Sequence, residues 1–227
     1  IQEEISQGAG RIAGHLGLDN LIMYYDANNI QLSTTVEEVD SEDVAAKYKA
    51  WGWHVIEIDG CCPEAIRKAL REAKATVGQP TLIIGKTIMG RGAVGPNGEN
   101  YENRVNTHGQ PLSAAGASIE ATIKNLGGDP EAPFQIFPDV QELYAARLQE
   151  LRELAKARKQ EEKTWRKENP DRASKLDRWF AGEAPSVNWM SIEQKPNQAT
   201  RAASATVLSA LAEQVENMIV ASADLSN

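Results

Sequence analysis

The first part of the chain alternates between segments with apolar residues at helical spacing and short, continuous apolar runs. Such runs are typical of strands buried in a parallel sheet. The pattern predicts helices and strands in alternation: helix 1–17, strand 21–25, a helix capped by Asp40 or Ser41 and ending near Gly52, strand 53–58, a helix from Pro63 to about Thr76, and strand 81–84. This order predicts an α/β fold with a doubly wound parallel sheet and flanking helices. Ligands of such sheets bind at the carboxyl ends of strands, here after Tyr25 and Ile84.

The second part of the chain has a different pattern. The segment 90–111 is rich in Gly and Asn, and its length favours a functional loop. Further predictions are a helical segment 112–126, a surface linker helix 139–168, a domain boundary within 181–198, an Ala-rich helix capped by Thr200, and a new strand at 218–220. We therefore divide the chain into a first α/β domain (1–138), a helical and irregular linker (139–196) and the start of a second α/β domain (197–227).

Composition narrows the functional classes. The net charge is −8, and no basic cluster lies beside aromatic residues, which argues against a nucleic-acid partner. No apolar run is long enough to cross a membrane, and no secretory signal pattern opens the chain, so we expect a cytoplasmic protein. The adjacent Cys61 and Cys62 are expected to be reduced and structural, because this spacing strains a disulfide. The chain begins without Met, and we expect both ends to be breaks in a longer protein.

Three places carry candidate chemistry. The segment Asp26-Ala27-Asn28-Asn29-Ile30 offers oxygen ligands for a hard cation such as Mg²⁺, although Asp and Asn are also ordinary turn residues. Lys86 and His108 could donate hydrogen bonds to a phosphate near the strand ends, or could simply be solvated and structural. Arg201 lies at a predicted helix start, where it could hold an anion; the alternative is a surface arginine.

Taken together, these segments resemble the transketolase family over nearly the whole chain. The resemblance rests on the order and spacing of six stretches: Tyr25-Asp26-Ala27-Asn28-Asn29-Ile30; Trp51-Gly52-Trp53-His54-Val55-Ile56 with Asp59-Gly60; Pro80-Thr81-Leu82-Ile83 through Lys86-Thr87-Ile88-Met89-Gly90; Thr107-His108-Gly109 with Pro111-Leu112; Ala199-Thr200-Arg201; and Ser222-Ala223-Asp224-Leu225.

The resemblance implies a thiamine-diphosphate-binding fold, with thiamine diphosphate and Mg²⁺ (or Ca²⁺) as cofactors. It implies that the Asn28 side chain and the Ile30 carbonyl are metal ligands, while the Gly-Asp-Gly motif that supplies the carboxylate should precede Ile1. By the same resemblance, His108 contacts the cofactor diphosphate and the bound sugar and is the catalytic candidate. Lys86 lies near the diphosphate, Arg201 binds the sugar phosphate, and Asp224 lies near the thiazolium of the cofactor.

Two departures from the family pattern stand out. Val105 occupies the place of a second histidine, after an insertion of about five residues, and Asn28-Asn29 replaces the usual Asn-Gly. The second change is compatible with the family backbone, because Asn tolerates a left-handed conformation.

The implied reaction is two-carbon ketol transfer from a ketose phosphate to an aldose phosphate, with phosphorylated sugars as partners and a homodimer as the intact protein. The chain alone is expected to be inactive. Two alternatives stay open: another thiamine-diphosphate enzyme, similar to the first component of the 2-oxo-acid dehydrogenases, and a non-catalytic split half-subunit.

Overall fold

A computed structural model describes residues 4–221, and it divides the chain into two compact units, one up to Phe137 and one from Pro138. The helices and strands of the first unit are α1 (Glu4–Leu16), β1 (Ile22–Ala27), α2 (Val44–Ala50), β2 (His54–Asp59), α3 (Pro63–Ala75), β3 (Thr81–Lys86) and α4 (Ile119–Asn125). Those of the second unit are α5 (Pro138–Glu168), α6 (Pro170–Phe180) and α7 (Thr200–Ala212).

The three strands form a parallel sheet in the order β1-β3-β2. The last strand in sequence is therefore the central one, and every residue from Thr81 to Gly85 is buried. Its apolar run lacks alternation because both faces of the strand are covered. The predicted α/β class with a parallel sheet and helices on both faces is confirmed.

Successive residues of β3 point into two separate cores, because side chains of a strand alternate between its faces. On one face, α1 and α2 cover the sheet, and the buried residues of this core are Ala13, Tyr48, Trp53, Leu82 and Ile84. On the other face, α3 packs through the small residues Ala69 and Ala73 against Ile83. Helices therefore pack on both faces of the sheet and hold the strand ends in place.

Two helix predictions in the first unit need correction. The N-cap of α2 is Asp43, whose carboxylate accepts the Ala46 N–H at 2.8 Å, and not Asp40 or Ser41. Asp40 instead accepts the N–H of Glu42 in a turn that precedes the helix. The predicted helical segment 112–126 is α-helical only over α4, where Ser118 is the N-cap.

The second unit also differs in detail from the prediction. The predicted linker helix corresponds to α5, but the separate helix α6 that follows it was not predicted. Thr200 is the first residue of α7 rather than its cap, because Ala199 takes that position without a side-chain hydrogen bond. Residues 218–220 lie in no strand in the described part of the chain. No helix within residues 4–221 is long and apolar enough to cross a membrane.

Candidate functional site

A tight turn directly after β1 arranges the predicted metal ligands. The Asn28 side-chain oxygen accepts the Ile30 N–H at 3.0 Å, so the amide is fixed by the backbone two residues on. Asn29, between them, has a φ of 62°, in the left-handed region that favours Gly but that Asn also adopts. The departure from Asn-Gly therefore leaves this turn intact.

The backbone around Ile30 is held by a short antiparallel contact between Ile30 and Thr35. The two hydrogen bonds of this contact are made by their neighbours, from Gln31 N–H to the Thr34 carbonyl at 2.9 Å and from Val36 N–H to the Asn29 carbonyl at 3.0 Å. The Ile30 carbonyl takes no part in the contact, although Ile30 itself is 8% exposed. A carbonyl oxygen and an amide oxygen are thus fixed within one turn, and both are ligands that a hard cation accepts.

A cavity of about 510 Å³ opens at this turn, at the carboxyl ends of β1 and β3. Asn28, Ile30 and Lys86 all contribute to its lining. Lys86 reaches it because its Cα pairs with Ala27 across the two parallel strands. The structure therefore brings together three of the residues that the sequence singled out, at the sheet edge where ligands of doubly wound folds bind.

His108 lies in the long loop after β3, at the end of a single turn of 3-10 helix over Val105–Thr107. Its backbone N–H donates to the Val105 carbonyl at 3.1 Å. Its Nδ1 is buried and has no hydrogen-bond partner among residues 4–221. Leaving a buried polar atom unpaired costs free energy, so this nitrogen is available for a ligand. His108 is not among the residues that line the cavity.

The loop that carries His108 is tied down at several points. The Gly92 N–H donates to the Glu102 carboxylate at 2.7 Å, and the Asn125 amide of α4 donates to the Gly92 carbonyl at 2.9 Å. The buried Thr107 hydroxyl donates to the Arg104 carbonyl at 2.7 Å. These bonds explain how an irregular segment rich in Gly and Asn has one conformation.

A second polar group lies near the same strand ends. The Thr87 hydroxyl donates to the Asp26 carboxylate, and the Tyr24 hydroxyl lies over Gly85. Burial, followed by the negative charges of Asp26, Cys61 and Asp59, raises the pKa of Tyr24. Tyr24 therefore stays a neutral hydrogen-bonding group well above neutral pH. The cysteines of this region, Cys61 and Cys62, are both free, as expected.

Arg201 belongs to the second unit, where it is the second residue of α7 and is exposed. The second unit has a larger cavity, about 700 Å³, between α6 and the segment after α7. An ion pair joins Lys175 to Glu216 among its lining residues. None of the predicted site residues lines this second cavity. The candidate site is therefore the smaller cavity, which contains three of them. Asp224 lies outside the described residues.

The polar residues that line the first cavity without having been predicted include Asn103 and Glu37. Asn103 comes from the loop after β3, and Glu37 comes from the single helical turn over Val36–Glu38. Neither had a signal in the sequence, because loop asparagines and exposed glutamates are common. Their placement depends on the path of two loops, which hydrophobic periodicity does not encode.

Known proteins are similar to this chain in sequence and in fold. Residues 1–185 match the family described as "Transketolase, thiamine diphosphate binding domain". The chain belongs to the transketolase family. Transketolase 2 of Xanthobacter flavus is 35% identical over all of this chain and 33% of its own length. Dihydroxyacetone synthase of Pichia angusta is 34% identical over 95% of this chain and 30% of its own length. The chain thus spans about a third of the length of these curated relatives.

Solved structures of transketolases share this fold. A Pichia stipitis transketolase in complex with sedoheptulose 7-phosphate superposes with a TM-score of 0.80 at 31% identity, covering 99% of this chain and 33% of that one. The transketolase of Leishmania mexicana gives a TM-score of 0.78 at 29% identity, covering 94% and 31%. The resemblance drawn from the six ordered stretches is confirmed, and ketol transfer is the reaction of this family.

The residues of the candidate site fit thiamine diphosphate and its metal in part. The ammonium group of Lys86 lines the cavity and is a donor suited to a diphosphate, whereas the unpaired Nδ1 of His108 is a hydrogen-bonding atom outside that lining. Asn28 and Ile30 supply two neutral oxygens for a divalent cation. No cluster of three or more acidic, His or Cys side chains suited to a metal occurs within residues 4–221. Among the residues that line the cavity, the carboxylate belongs to Glu37.

Proposed function

We propose that the protein carrying this chain is a transketolase, which transfers a two-carbon ketol unit from a ketose phosphate to an aldose phosphate. The observation that carries the proposal is the cavity at the ends of β1 and β3, where Asn28, Ile30 and Lys86 meet in a chain that belongs to this family. The placement at strand ends matches the general position of ligands in doubly wound sheets.

In this proposal the chain supplies part of the cofactor site. The Asn28 amide oxygen and the Ile30 carbonyl would bind Mg²⁺ or Ca²⁺, and Lys86 would neutralise part of the diphosphate charge. Thiamine diphosphate, when bound, supplies the electron sink that stabilises a carbanion. His108 would donate a hydrogen bond from its imidazole to the diphosphate or to a sugar hydroxyl, and would hold the sugar in a reactive orientation.

Arg201 would bind the phosphate of the sugar. It is exposed in the first turn of α7, where the positive end of the helix and the guanidinium both favour an anion. The Pichia stipitis transketolases solved with sedoheptulose 7-phosphate, xylulose 5-phosphate and fructose 6-phosphate support phosphorylated sugars as the substrate class. We also propose a homodimer and a cytoplasmic location for the intact protein.

A second acceptor deserves a test, because one relative is a dihydroxyacetone synthase. Dihydroxyacetone has three carbons, so a ketol unit of two carbons must join a one-carbon aldehyde to form it. This variant would keep the donor side of the reaction and change only the acceptor. The resemblance to 2-oxo-acid dehydrogenases has no such support among the relatives described above.

The test uses the full-length protein with thiamine diphosphate, Mg²⁺ and xylulose 5-phosphate. With ribose 5-phosphate as acceptor, we expect sedoheptulose 7-phosphate, measured by mass spectrometry, and no product when the cofactor is omitted. Formaldehyde in place of ribose 5-phosphate tests the second acceptor. No product with either aldehyde, from folded protein, would overturn the proposal and favour the non-catalytic half-subunit.

Replacing Arg201 tests its proposed role in binding the sugar phosphate. Because Arg201→Ala removes a charge-assisted hydrogen bond, we expect KM for a phosphorylated donor to rise roughly tenfold to a hundredfold, with little change for an unphosphorylated donor. Steady-state kinetics with xylulose 5-phosphate and hydroxypyruvate provide the comparison. Equal losses with both donors would contradict the phosphate role.

A further inference from the structure

Asn103 is the one residue of the cavity whose backbone and side chain are both fixed by the same neighbour. Its N–H donates to the Met89 carbonyl at 2.9 Å, and its side-chain oxygen accepts the Met89 N–H at 3.2 Å. Asn103 also has a φ of 52°, a left-handed conformation that costs free energy in most residues. A strained, doubly anchored residue at the edge of a ligand cavity suggests a selected orientation.

The two bonds to Met89 determine which end of the amide is free. A backbone N–H can only donate, so the atom that faces it must be the Asn103 oxygen. The amino group then lies at the other end of the planar amide, away from the Met89 N–H. Among residues 4–221 that amino group has no hydrogen-bond partner. Asn103 is exposed and lines the cavity, so its amino group is available to a ligand there.

The residues on either side of Asn103 prevent the segment from turning. The Glu102 carboxylate accepts the Gly92 N–H at 2.7 Å, and the Arg104 guanidinium lies 4.0 Å from the centre of the Tyr101 ring. The donor is therefore preorganised before any ligand binds, which reduces the entropic cost of binding.

Asn103 lies two residues before Val105, which stands where the family usually has a second histidine. Val105 is apolar, is half-buried in the helical turn, and does not line the cavity. Asn103, two residues earlier, does line it and carries a donor. The loop thus offers a polar contact to the cavity from a neighbouring position, although the usual second histidine is replaced.

From these contacts we infer that Asn103 is a binding residue for the diphosphate of the cofactor, to which its amino group donates a hydrogen bond. The inference rests on the proposed function, because it takes thiamine diphosphate as the occupant of the cavity. A diphosphate is the occupant we favour because Lys86 and the oxygens of Asn28 and Ile30, suited to the accompanying cation, line the same cavity.

The experiment measures thiamine diphosphate affinity of the full-length protein with Mg²⁺, by isothermal titration calorimetry. Asn103→Asp keeps the oxygen that accepts the Met89 N–H but replaces the donor with a negative charge, and Asn103→Gly keeps the left-handed backbone without any side chain. We expect Kd to rise roughly threefold to tenfold in the Gly variant, as for one lost hydrogen bond, and further in the Asp variant. Inorganic pyrophosphate competes with thiamine diphosphate, and its dissociation constant should rise in parallel.

The control is Asn197→Asp, which changes another asparagine with a left-handed backbone, at φ 57°, that lies outside the cavity. It should bind thiamine diphosphate like the parent. Unchanged affinity in both Asn103 variants would overturn the inference while leaving the proposed function intact. A higher KM for xylulose 5-phosphate with unchanged cofactor affinity would overturn the diphosphate assignment and place the sugar at Asn103. A parent protein that binds no thiamine diphosphate would overturn the proposed function itself.

Discussion

At the scale of single residues, the candidate site depends on asparagines in conformations that most residues avoid. Asn29 and Asn103 both have positive φ, and each lies where a loop passes the cavity. Asn adopts this region more readily than other residues with a Cβ, so it can hold a turn and still present an amide. A short polar side chain thus lets one residue hold a turn and line the cavity.

Asn29 offers a direct test of this backbone role. Asn29→Gly should change the free energy of unfolding by less than about 0.5 kcal/mol, whereas Asn29→Val should lower it by roughly 1–2 kcal/mol, because a β-branched residue is strained at positive φ. Urea denaturation measures both. The control is Asn188→Val, at φ −80° and without a side-chain cap bond, which should cost little. Equal losses in the two Val variants would contradict the strain argument.

The raised pKa of Tyr24 predicts a pH dependence of stability. Burial is its largest cause, so the folded state keeps the phenol protonated at pH values where the unfolded chain has begun to ionise. The contribution of Tyr24 is fully present below about pH 10 and is lost as pH rises through the higher folded pKa. Between about pH 9 and 11, Tyr24→Phe should therefore lose less unfolding free energy than the parent. Parallel curves in urea titrations would contradict this expectation.

At the scale of elements, α1 is held against the start of β2 by close backbone contact. The Trp53 indole N–H donates to the Gly10 carbonyl at 2.8 Å. A Cβ on Gly14 would lie 1.9 Å from the Trp51 carbonyl oxygen, which no real structure allows. A Cβ on Gly8 in the same helix would meet no atom within 4 Å. The two glycines therefore have opposite roles in one helix.

These two glycines form a matched pair of variants. Gly14→Ala should lower the free energy of unfolding by about 1–3 kcal/mol, because the helix must move away from the backbone at Trp51. Gly8→Ala should raise it by roughly 0.5–1 kcal/mol, because Ala favours the helix. Thermal unfolding followed by circular dichroism distinguishes the two. Stabilisation by both substitutions would show that α1 does not pack closely at Gly14.

The sequence predicted elements well where periodicity and length agree, and less well at their ends. The strand over 81–84 was placed because its apolar run is continuous. The start of α2 was wrong because Asp40, Ser41 and Asp43 are all good caps, and only the turn made by Asp40 selects Asp43. The helix α6 was not predicted, although Pro170 stands at its first position, where Pro is favoured at the start of a helix.

At the scale of the whole molecule, the sequence predicts only those site residues whose positions follow from the ends of the strands. Asn28, Ile30 and Lys86 directly follow or end strands, so the parallel register brings them together. Asn103 and His108 lie in a loop whose path depends on hydrogen bonds such as that from Gly92 to Glu102. No periodic pattern encodes such a path. The roles of these residues in binding stay predictions.

The proposed metal ligands lead to a prediction for the 227-residue chain by itself. The proposed ligands Asn28 and Ile30 are neutral and bind Mg²⁺ weakly by themselves, because this ion is usually bound through one or two carboxylates. We therefore expect poor thiamine diphosphate binding and no ketol transfer from the isolated chain. The measurement is product formation from xylulose 5-phosphate and ribose 5-phosphate, with the full-length protein as the positive control. Turnover by the isolated chain would refute the expectation.

The position of β3 at the centre of the sheet has a consequence for biosynthesis. Among residues 4–221, β1 and β2 each pair with β3 and not with each other, so these two ladders cannot form until residue 86 has left the ribosome. A nascent chain that ends before Thr81 can form α1, α2 and α3 but cannot form the sheet described here. β1 and β2 then lack the partner that they have in this sheet, which is a situation in which chaperones bind. A ribosomal pause just before β3 would prolong the time that β1 and β2 spend without this partner. A pause after the loop that follows β3 would not.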